Sequence, residues 1–241
     1  MAMRKRYPVS PQAVNRGLVE GSGMLVRSYV APMFATNCWV IAPHAGGECI
    51  IIDPGMTDIS AEVEMIIEEE GLKPVAALLT HGHLDHTFSV RPLADGYGIP
   101  AYIHSEDRPY IANPSGIHGD QFVEQLQGMN FSEPQQVEVL KDGSQLNFLD
   151  LDIRVIYAPG HTRGSIMFLV NDEILVSGDV LFAGSIGRTD LPTGSMSDMR
   201  NTLVKKVIPL DDSLRVLPGH GKETTIKYER LNNPFLKEFA R

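Results

Sequence analysis

The feature of this sequence that most constrains its fold is a seven-residue stretch carrying three histidines and an aspartate. It reads Thr80-His81-Gly82-His83-Leu84-Asp85-His86 and is called the histidine loop below. A continuous apolar run over residues 75–79 precedes it and is typical of a buried strand. Apolar residues at roughly helical spacing follow over residues 88–97, although Pro92 is unfavourable inside a helix. The three histidines and the aspartate are potential metal ligands. They are therefore predicted on a strand-to-helix loop, where a rigid scaffold often presents active-site residues.

Gly82 gives the histidine loop the backbone freedom to turn its ligands toward more than one point. In a regular strand, three of the ligands would lie on one face and His86 on the other. On a tight turn, the two groups of ligands instead face two adjacent metal ions. The histidine loop therefore predicts a hydrolase with a two-metal centre.

The composition is typical of a globular chain and disfavours several functions. The 241 residues are 43% hydrophobic and 21% charged, enough to bury a core without disulfides. A net charge of −9 disfavours nucleic acid as a partner. No apolar run reaches signal-peptide or membrane-span length, which predicts a cytoplasmic protein without a membrane partner. Cys38 and Cys49 lie in apolar runs and match no metal or redox spacing, so buried, reduced thiols are predicted.

The segment pattern predicts a flexible tail over residues 1–23 and one domain over residues 24–241. The tail is polar and contains several prolines and glycines. In the domain, strands are predicted over residues 24–30, 37–42, 48–52, 75–79, 101–104, 136–140, 144–148, 151–157, 165–170, 173–177 and 215–217. Helices are predicted over residues 60–70, 88–97, 120–129 and 197–207. Ser60 is predicted to cap the first helix and Ser105 a further short one.

Both halves of the domain contain strands followed by helices. This pattern predicts an α/β fold in which two mixed sheets pack face to face with helices outside, a four-layer αβ/βα sandwich. The first three strands are predicted to form an antiparallel meander. Residues 113–134 fit neither half and are predicted to form an insertion beside the site.

Three further residues of metal-ligand type each follow an apolar run and a glycine. They are His161, Asp179 and His220. Because the strand ends of one sandwich converge on one edge, we expect these side chains to meet the histidine loop there. Imidazole and carboxylate ligands suit zinc, iron or manganese, and the lack of cysteine ligands argues against a structural zinc site.

Together these motifs resemble those of the metallo-β-lactamase fold hydrolases, and among them the short bacterial members of the glyoxalase II-like (hydroxyacylglutathione hydrolase) group. Beyond the histidine loop, the resemblance rests on Asp53-Pro54-Gly55, Pro159-Gly160-His161-Thr162, Gly178-Asp179-Val180-Leu181-Phe182, Gly187-Arg188-Thr189-Asp190 and Pro218-Gly219-His220-Gly221. It implies two ligand sets joined by one carboxylate. The first metal would take His81, His83 and His161, the second Asp85, His86 and His220, and both would share Asp179.

This resemblance predicts a hydrolase with two divalent metal ions, zinc being favoured over iron or manganese. Asp85 and Asp179 are the candidate catalytic carboxylates, and a hydroxide bridging the ions would attack a polarised carbonyl. A thiolate leaves without a strong proton donor because the thiol pKa is about 8.5, whereas an amine needs a donor. The predicted substrate is therefore a small-molecule thioester, such as an S-2-hydroxyacyl-glutathione. Short members of the glyoxalase II-like group lack the C-terminal domain that holds glutathione, so another low-molecular-weight thiol is an alternative carrier. The sequence does not indicate an oligomeric state.

Other polar residues have two interpretations each. Arg188 matches a basic position that contacts the thiol carrier's carboxylate in glyoxalase II proteins, or it pairs with Asp190 inside its own loop. Asp53 is an ordinary turn carboxylate or, as the resemblance implies, a buried residue that supports the metal site. Three histidines outside the ligand sets are predicted to be packed or surface residues: His44, His104 and His118.

Several rival functions are compatible with parts of this pattern. A persulfide dioxygenase of the same fold binds one iron through two histidines and an aspartate and shares the Gly-Arg-Thr-Asp motif. The complete second ligand set instead favours a dinuclear hydrolase. A β-lactamase is disfavoured because it would have to expel an amine. A nuclease is disfavoured by the acidic charge of the chain. A fold used for binding alone predicts no bound metal.

Overall fold

The computed structural model describes residues 14–15, 23–126 and 128–239. Most of the predicted flexible tail, residues 1–23, thus lies outside the described residues. Within it, Val14 and Asn15 form a short strand, β1, that pairs antiparallel with Tyr29 and Ser28. No helix in these described ranges is long and apolar enough to cross a bilayer.

Strands and helices follow one another largely as predicted from the sequence. The remaining strands are β2 (Leu25–Val30), β3 (Asn37–Ala42), β4 (Glu48–Ile52), β5 (Lys73–Leu78), β6 (Ala101–His104), β7 (Val137–Leu140), β8 (Gln145–Phe148), β9 (Leu151–Tyr157), β10 (Ile166–Val170), β11 (Ile174–Gly178), β12 (Leu181–Phe182), β13 (Ser185–Ile186), β14 (Arg215–Pro218) and β15 (Thr224–Thr225). The helices are α1 (Ser60–Glu70), α2 (Leu84–Thr87), α3 (Val90–Tyr97), α4 (Pro109–Ala112), α5 (Ser115–His118), α6 (Asp120–Glu124), α7 (Met196–Thr202), α8 (Ile226–Asn232) and α9 (Pro234–Phe239). A π-helical turn, Leu203–Val207, continues α7.

Two mixed sheets form the centre of the molecule. The first has the order β1-β2-β3-β4-β5-β6-β7, antiparallel from β1 to β4 and parallel from β4 to β7. The second has the order β15-β14-β11-β10-β9-β8, with β11 and β14 parallel and the other pairs antiparallel. The predicted meander of β2, β3 and β4 is confirmed. The hairpin of β12 and β13 was not predicted, because each strand has only two residues.

The burial of β3 shows why the sheets are covered on both faces. All six of its residues are buried, as expected for a strand with packing on either side. Trp39 and Ile41 point between the sheets and share a core with Phe168 of β10. Cys38 and Val40 point outward and pack in a second core against α1 and α3. A third core covers the outer face of the second sheet with α7, α8 and α9. The predicted αβ/βα sandwich is confirmed.

The two cysteines belong to this outer packing. Cys38 and Cys49 are both buried free thiols, as predicted. Burial raises the pKa of the Cys49 thiol to about 12. Burial, reinforced by the Asp53 carboxylate, also raises the pKa of Cys38. Both side chains therefore stay protonated and act as small apolar packing groups.

Several predicted helix ends were wrong for local reasons. The residue before α1 is Ile59, and the Asp58 carboxylate accepts hydrogen bonds from the backbone N–H and hydroxyl of Ser60, so Ser60 does not cap the helix. Ser105 does not cap a helix either, since α4 begins only at Pro109. The predicted helix over residues 120–129 is shorter, ending at residue 124. Pro92 lies in the first turn of α3, where a missing N–H leaves no helical bond unmade.

Candidate metal centre

All seven candidate ligands come together where loops from the two sheets meet. The histidine loop leaves β5 of the first sheet, and His161, Asp179 and His220 leave β9, β11 and β14 of the second. Asp85 and His86 lie on the short helix α2, directly after His83. The chain thus brings together residues that are as far apart as 81 and 220 in sequence.

The first ligand set is a tight group of three buried imidazoles. His83 Nδ1 lies 2.9 Å from His81 Nε2 and 2.8 Å from His161 Nε2. Burial, reinforced by the neighbouring imidazoles, holds the pKa values of His81 and His83 well below the ordinary histidine value. Both rings are therefore neutral near pH 7 and have nitrogen lone pairs to offer to a cation.

The second ligand set has the spacing expected around one ion. His220 Nε2 lies 3.3 Å from His86 Nε2 and 3.3 Å from Asp85 Oδ2. His86 Nε2 lies 3.4 Å from the same Asp85 oxygen. Bonds of about 2.0–2.1 Å in a tetrahedral arrangement separate neighbouring ligand atoms by about 3.3–3.4 Å. These three side chains therefore fit a tetrahedral cation site without rearrangement.

Asp179 lies between the two sets. Its Oδ2 is 3.4 Å from both His161 Nε2 and His220 Nε2, and its Oδ1 is 3.4 Å from His86 Nε2. Oδ1 is buried and has no hydrogen-bond partner within the described ranges. An ionised carboxylate oxygen can only accept, and burying it without a donor is costly. A cation shared with the two sets would satisfy this oxygen, so the residues present fit a metal pair.

The charges of the cluster are strongly coupled. Burial alone would raise the pKa of Asp179, but His86, His220 and His161 outweigh it and lower that pKa to about 2. Burial alone would lower the pKa values of His86 and His220. The Asp85 and Asp179 carboxylates reverse this and raise them to about 9 and about 10. Protons on these two rings balance the carboxylates until a cation takes their place.

Asp53 supports the second ligand set from behind. It is buried, and its Oδ1 accepts a 2.8 Å hydrogen bond from the Thr80 backbone N–H. Its Oδ2 accepts from the Thr80 hydroxyl at 2.7 Å and contacts His86 Nδ1 at 3.0 Å. Because a carboxylate only accepts, His86 carries a proton on Nδ1 and turns Nε2 toward the cluster. Asp53 therefore has the supporting position that the resemblance implies.

Backbone carbonyls hold two more ligand rings in the same way. His161 Nδ1 donates to the Arg188 carbonyl at 2.7 Å, and His220 Nδ1 donates to the Phe34 carbonyl at 3.1 Å. Both rings therefore direct Nε2 at the cluster. The Thr36 hydroxyl donates to Asp85 Oδ2 at 2.8 Å and fixes that carboxylate. Sequence reasoning missed Thr36, because its partner is 49 residues away.

Asp107 is a second residue that sequence reasoning missed. It is fully buried and lies in the turn after β6. Its carboxylate accepts hydrogen bonds of 2.8 Å from the Gly82 N–H, 2.6 Å from the Thr162 hydroxyl and 2.8 Å from the Gly164 N–H. It therefore joins the histidine loop to the loop that carries His161.

Close packing explains why glycines precede the candidate ligands. A side chain on Gly219 would overlap the Asp179 carboxylate and crowd the His86 ring. Gly178 has a φ of +49° and lies directly against Thr80. The repeated glycine-before-ligand pattern thus reflects close packing of the strand ends.

A cleft of about 530 Å³ opens over the cluster. Five of the seven candidate ligands line this cleft. Much of the rest of its lining is apolar and includes Phe34, Phe122, Phe182, Ile186 and Leu191. Arg188 also lines it, and its guanidinium makes two 2.8 Å bonds to the Asp190 carboxylate. The Arg188 side chain is 59% exposed. Its position is therefore compatible both with a contact to a substrate carboxylate and with a structural pair with Asp190.

The remaining histidines have different environments. His44 is on an exposed turn, and the His104 ring stacks on Tyr157 at 4.6 Å, as predicted for packed or surface residues. His118 instead lines the cleft, with its ring centre 4.8 Å from that of His83. Its Nε2 accepts a 2.8 Å hydrogen bond from the Leu84 N–H. The insertion that carries it thus reaches the histidine loop.

Sequence comparison identifies relatives along almost the whole chain. Residues 31–220 match the family model of the metallo-beta-lactamase superfamily. An uncharacterized protein of Mycobacterium leprae is 43% identical over 217 residues, covering 89% of this chain and 99% of its own. The hydroxyacylglutathione hydrolase GloC of Haemophilus influenzae is 33% identical over 213 residues, covering 84% of this chain and 93% of its own.

Comparison with solved structures also identifies relatives that match almost the whole chain. The crystal structure of BLEG-1 B3 metallo-beta-lactamase is 31% identical, with a TM-score of 0.79, and the match covers 88% of this chain and 99% of that one. TTHA1623 in a di-iron-bound form is 30% identical, with a TM-score of 0.71, covering 87% and 99%. The αβ/βα sandwich, the ligand cluster at its strand ends and the family match agree: the chain belongs to the metallo-beta-lactamase superfamily of metallo-hydrolases.

Proposed function

We propose that this protein is a metal-dependent hydrolase that cleaves thioesters of a small thiol in the cleft above the ligand cluster. The observation that carries the proposal is the position of Asp179. Its carboxylate is within 3.4 Å of ligands from both sets, and its buried Oδ1 has no donor among the described residues. A carboxylate in this position is suited to hold two cations close together.

The proposed ligands are those that the sequence predicts. The first ion would be held by His81, His83 and His161, the second by Asp85, His86 and His220, and both by Asp179. Divalent ions in these positions would lower the pKa of bound water to about 7 and would polarise a carbonyl group. Zinc is the proposed metal, and the di-iron form of TTHA1623 makes iron the first alternative, ahead of manganese.

The protein's own contribution is to hold this donor set in position before substrate arrives. The second nitrogens of His86, His161 and His220 are each occupied by a carboxylate or a backbone carbonyl. Fixed rings need no reorganisation during the reaction, which is the main advantage of a preorganised site. Asp85 and Asp179 are ionised, because neighbouring histidines outweigh burial and lower the pKa of each.

The lining of the cleft favours a thiolate as the leaving group. Among the described residues that line it, there is no lysine, tyrosine or protonated carboxyl group. Burial lowers the pKa of His118, and its Nε2 already accepts the Leu84 N–H, so the neutral ring has no imidazolium proton to give a leaving group. A thiolate departs without a proton, whereas an amine does not. The Haemophilus influenzae relative is named a hydroxyacylglutathione hydrolase, and the hydrolysis of such a thioester releases a thiol.

A substrate panel on protein of measured metal content tests the proposal. It contains S-lactoylglutathione, thioesters of N-acetylcysteamine, a chromogenic cephalosporin and glutathione persulfide. We expect thioester hydrolysis that increases with metal content up to two ions per chain, and little cephalosporin cleavage. The rival persulfide dioxygenase would contain one iron per chain and consume oxygen with the persulfide. That result, or no cleavage of any thioester, would overturn the proposal.

A further inference from the structure

Three phenylalanines line the cleft without contributing to the hydrophobic cores. Phe34, Phe122 and Phe182 all face it, and none belongs to the buried clusters of the described residues. Phe34 is 49% exposed, and the other two are half-buried. Core packing therefore does not account for these rings. Exposed aromatic surface beside a reaction centre is typical of ligand binding.

Phe34, Phe122 and His118 pack on one another, and Phe182 lines the same cleft next to His220; we call these four rings the aromatic wall (Phe34, Phe122, Phe182 and His118). Phe34 packs on Phe122 with ring centres 6.2 Å apart. Phe122 in turn stacks on His118 at 5.0 Å with an interplanar angle of 29°. Phe182 meets the ring of His220 edge-on at 5.9 Å. The wall thus contacts the candidate metal ligands at two points, through His118 at His83 and through Phe182 at His220.

Hydrogen bonds connect residues of the aromatic wall to the candidate ligands and to the histidine loop. Phe34 has a φ of +67°, which is unfavourable for an aromatic residue, and its carbonyl accepts the hydrogen bond from His220 Nδ1. His118 accepts the N–H of Leu84, inside the histidine loop. Strained backbone conformations persist where surrounding contacts hold them, and they are frequent at functional sites. The positions of the rings are therefore set relative to the ligands.

The polar groups around the cleft do not suit an anionic acyl group. Apart from histidines, Arg188 is the one cationic side chain among the described residues that line it, and its guanidinium is already paired with Asp190. A carboxylate placed against the aromatic wall would lose water without gaining a partner there, which is costly. An alkyl or aryl group in the same place would bury apolar surface at no such cost.

We infer that the aromatic wall is a subsite for an apolar acyl group, alkyl or aryl, of the thioester. This inference rests on the proposed function and names the acyl class that the same cleft accepts. Small thiol carriers contain amides, carboxylates or hydroxyls, so the apolar part of such a substrate is its acyl group. The subsite favours acyl groups with several carbons over acetyl, lactoyl and succinyl groups.

The experiment varies the acyl group on one thiol. Acetyl, lactoyl, succinyl, hexanoyl and phenylacetyl thioesters of N-acetylcysteamine are compared by kcat/KM. We expect the hexanoyl-to-acetyl ratio to be at least about tenfold in the natural protein, because apolar pockets discriminate about 10-fold or more for added methylenes. Phe122→Ala and Phe34→Ala should each reduce this ratio by at least about fivefold, since each removes part of the ring surface.

Phe131→Ala is the matched control. Phe131 lies in the same insertion but packs on Phe88, with ring centres 6.2 Å apart, and lines a separate neighbouring cleft. We expect it to leave the hexanoyl-to-acetyl ratio unchanged. A larger rate with lactoyl or succinyl than with hexanoyl, or an equal ratio in all variants, would overturn the subsite.

A binding measurement separates the subsite from the catalytic proposal. S-hexyl-N-acetylcysteamine is a thioether with no thioester bond to cleave, and calorimetry reports its affinity. We expect Phe122→Ala to weaken its binding at least about fivefold and Phe131→Ala not to weaken it. If no thioester is cleaved but this pattern is found, the proposed function fails and the subsite stands. No binding to the natural protein would overturn the subsite.

Discussion

Asp179 illustrates how a single side chain acquires its role from its surroundings. The residue follows an apolar strand and a glycine, which is an ordinary position for a turn carboxylate. In the folded chain, its oxygens lie between His86, His161 and His220. Removing its charge should therefore affect both candidate metal positions together.

We predict that Asp179→Asn lowers the metal content to at most one ion per chain and reduces thioester turnover more than about 100-fold. The amide keeps the shape of the side chain but cannot balance two cations, and even outer partners of metal ligands contribute about 10–100-fold. Metal analysis and kcat/KM measure the effect. Asp172→Asn is the control, since that side chain is 87% exposed on a surface turn. An Asp179→Asn protein with two ions and normal turnover would contradict the ligand assignment.

Arg188 is the residue for which the two interpretations give different predictions. If its guanidinium contacts a substrate carboxylate, Arg188→Ala should raise KM about two- to fivefold for glutathione thioesters with little change in kcat. Asp190→Ala frees the guanidinium and should lower the same KM. Uncharged thioesters of N-acetylcysteamine serve as the control substrates. Unchanged KM values in both variants would assign Arg188 to a structural pair within its loop.

At the scale of elements, the site depends on loops that are held to each other rather than on any one loop. The histidine loop and the loop carrying His161 come from different sheets, and Asp107 bonds to both. Glycines at the strand ends allow the same close approach. Metal ligands can be positioned in this way before any metal is bound.

We predict that Asp107→Ala lowers the free energy of unfolding by at least about 3 kcal/mol. The substitution leaves buried donors of Gly82, Thr162 and Gly164 without their acceptor, and each unsatisfied group costs about 1–3 kcal/mol. In a domain of this size the change corresponds to a Tm decrease of about 6–12 °C. Denaturant unfolding and calorimetry measure it. Glu106→Ala, at the exposed neighbouring position, should cost less than about 0.5 kcal/mol, and an equal loss in both variants would contradict the bridging role.

At the scale of the whole molecule, the size of the hydrophobic cores leads us to expect a fold that does not depend on metal. The sheets are covered by helices on both sides, and the cores contain large buried residues such as Ile41, Ile51 and Phe168. This differs from small metal-dependent domains, which unfold without their ion. Metal should therefore add stability to a chain that is already folded.

We predict that chelation abolishes thioester turnover and lowers the Tm by about 10 °C while the far-UV circular dichroism stays unchanged. A ligand at about 1,000 times its Kd stabilises the folded state by about 4 kcal/mol, which for this chain length corresponds to that shift. Returning zinc should restore both properties. A chelated protein that keeps full turnover would rule out a metal-dependent reaction, and one that loses its secondary structure would contradict a metal-independent fold.

Much of the fold follows from local patterns that a sequence expresses directly. The apolar runs predict β3, β4, β10 and β11, because strands that are covered on both faces have no polar side. The histidine loop is predicted at the end of a strand and lies there, running from the end of β5 into α2. Ligand chemistry and strand burial are properties of single segments, so the family, the architecture and the candidate ligand residues could be proposed from the sequence by itself.

Only the tertiary structure decided which residues support and surround that centre. Thr36 bonds to Asp85 across 49 positions, and Asp107 to Thr162 across 55. His118 and Phe34 enter the cleft from an insertion and a loop with no pattern that predicts it. Each of these roles depends on a partner that is distant in the chain. A hydrogen bond or ring contact of that kind exists only after the sheets have packed together, and no local spacing of residues encodes it.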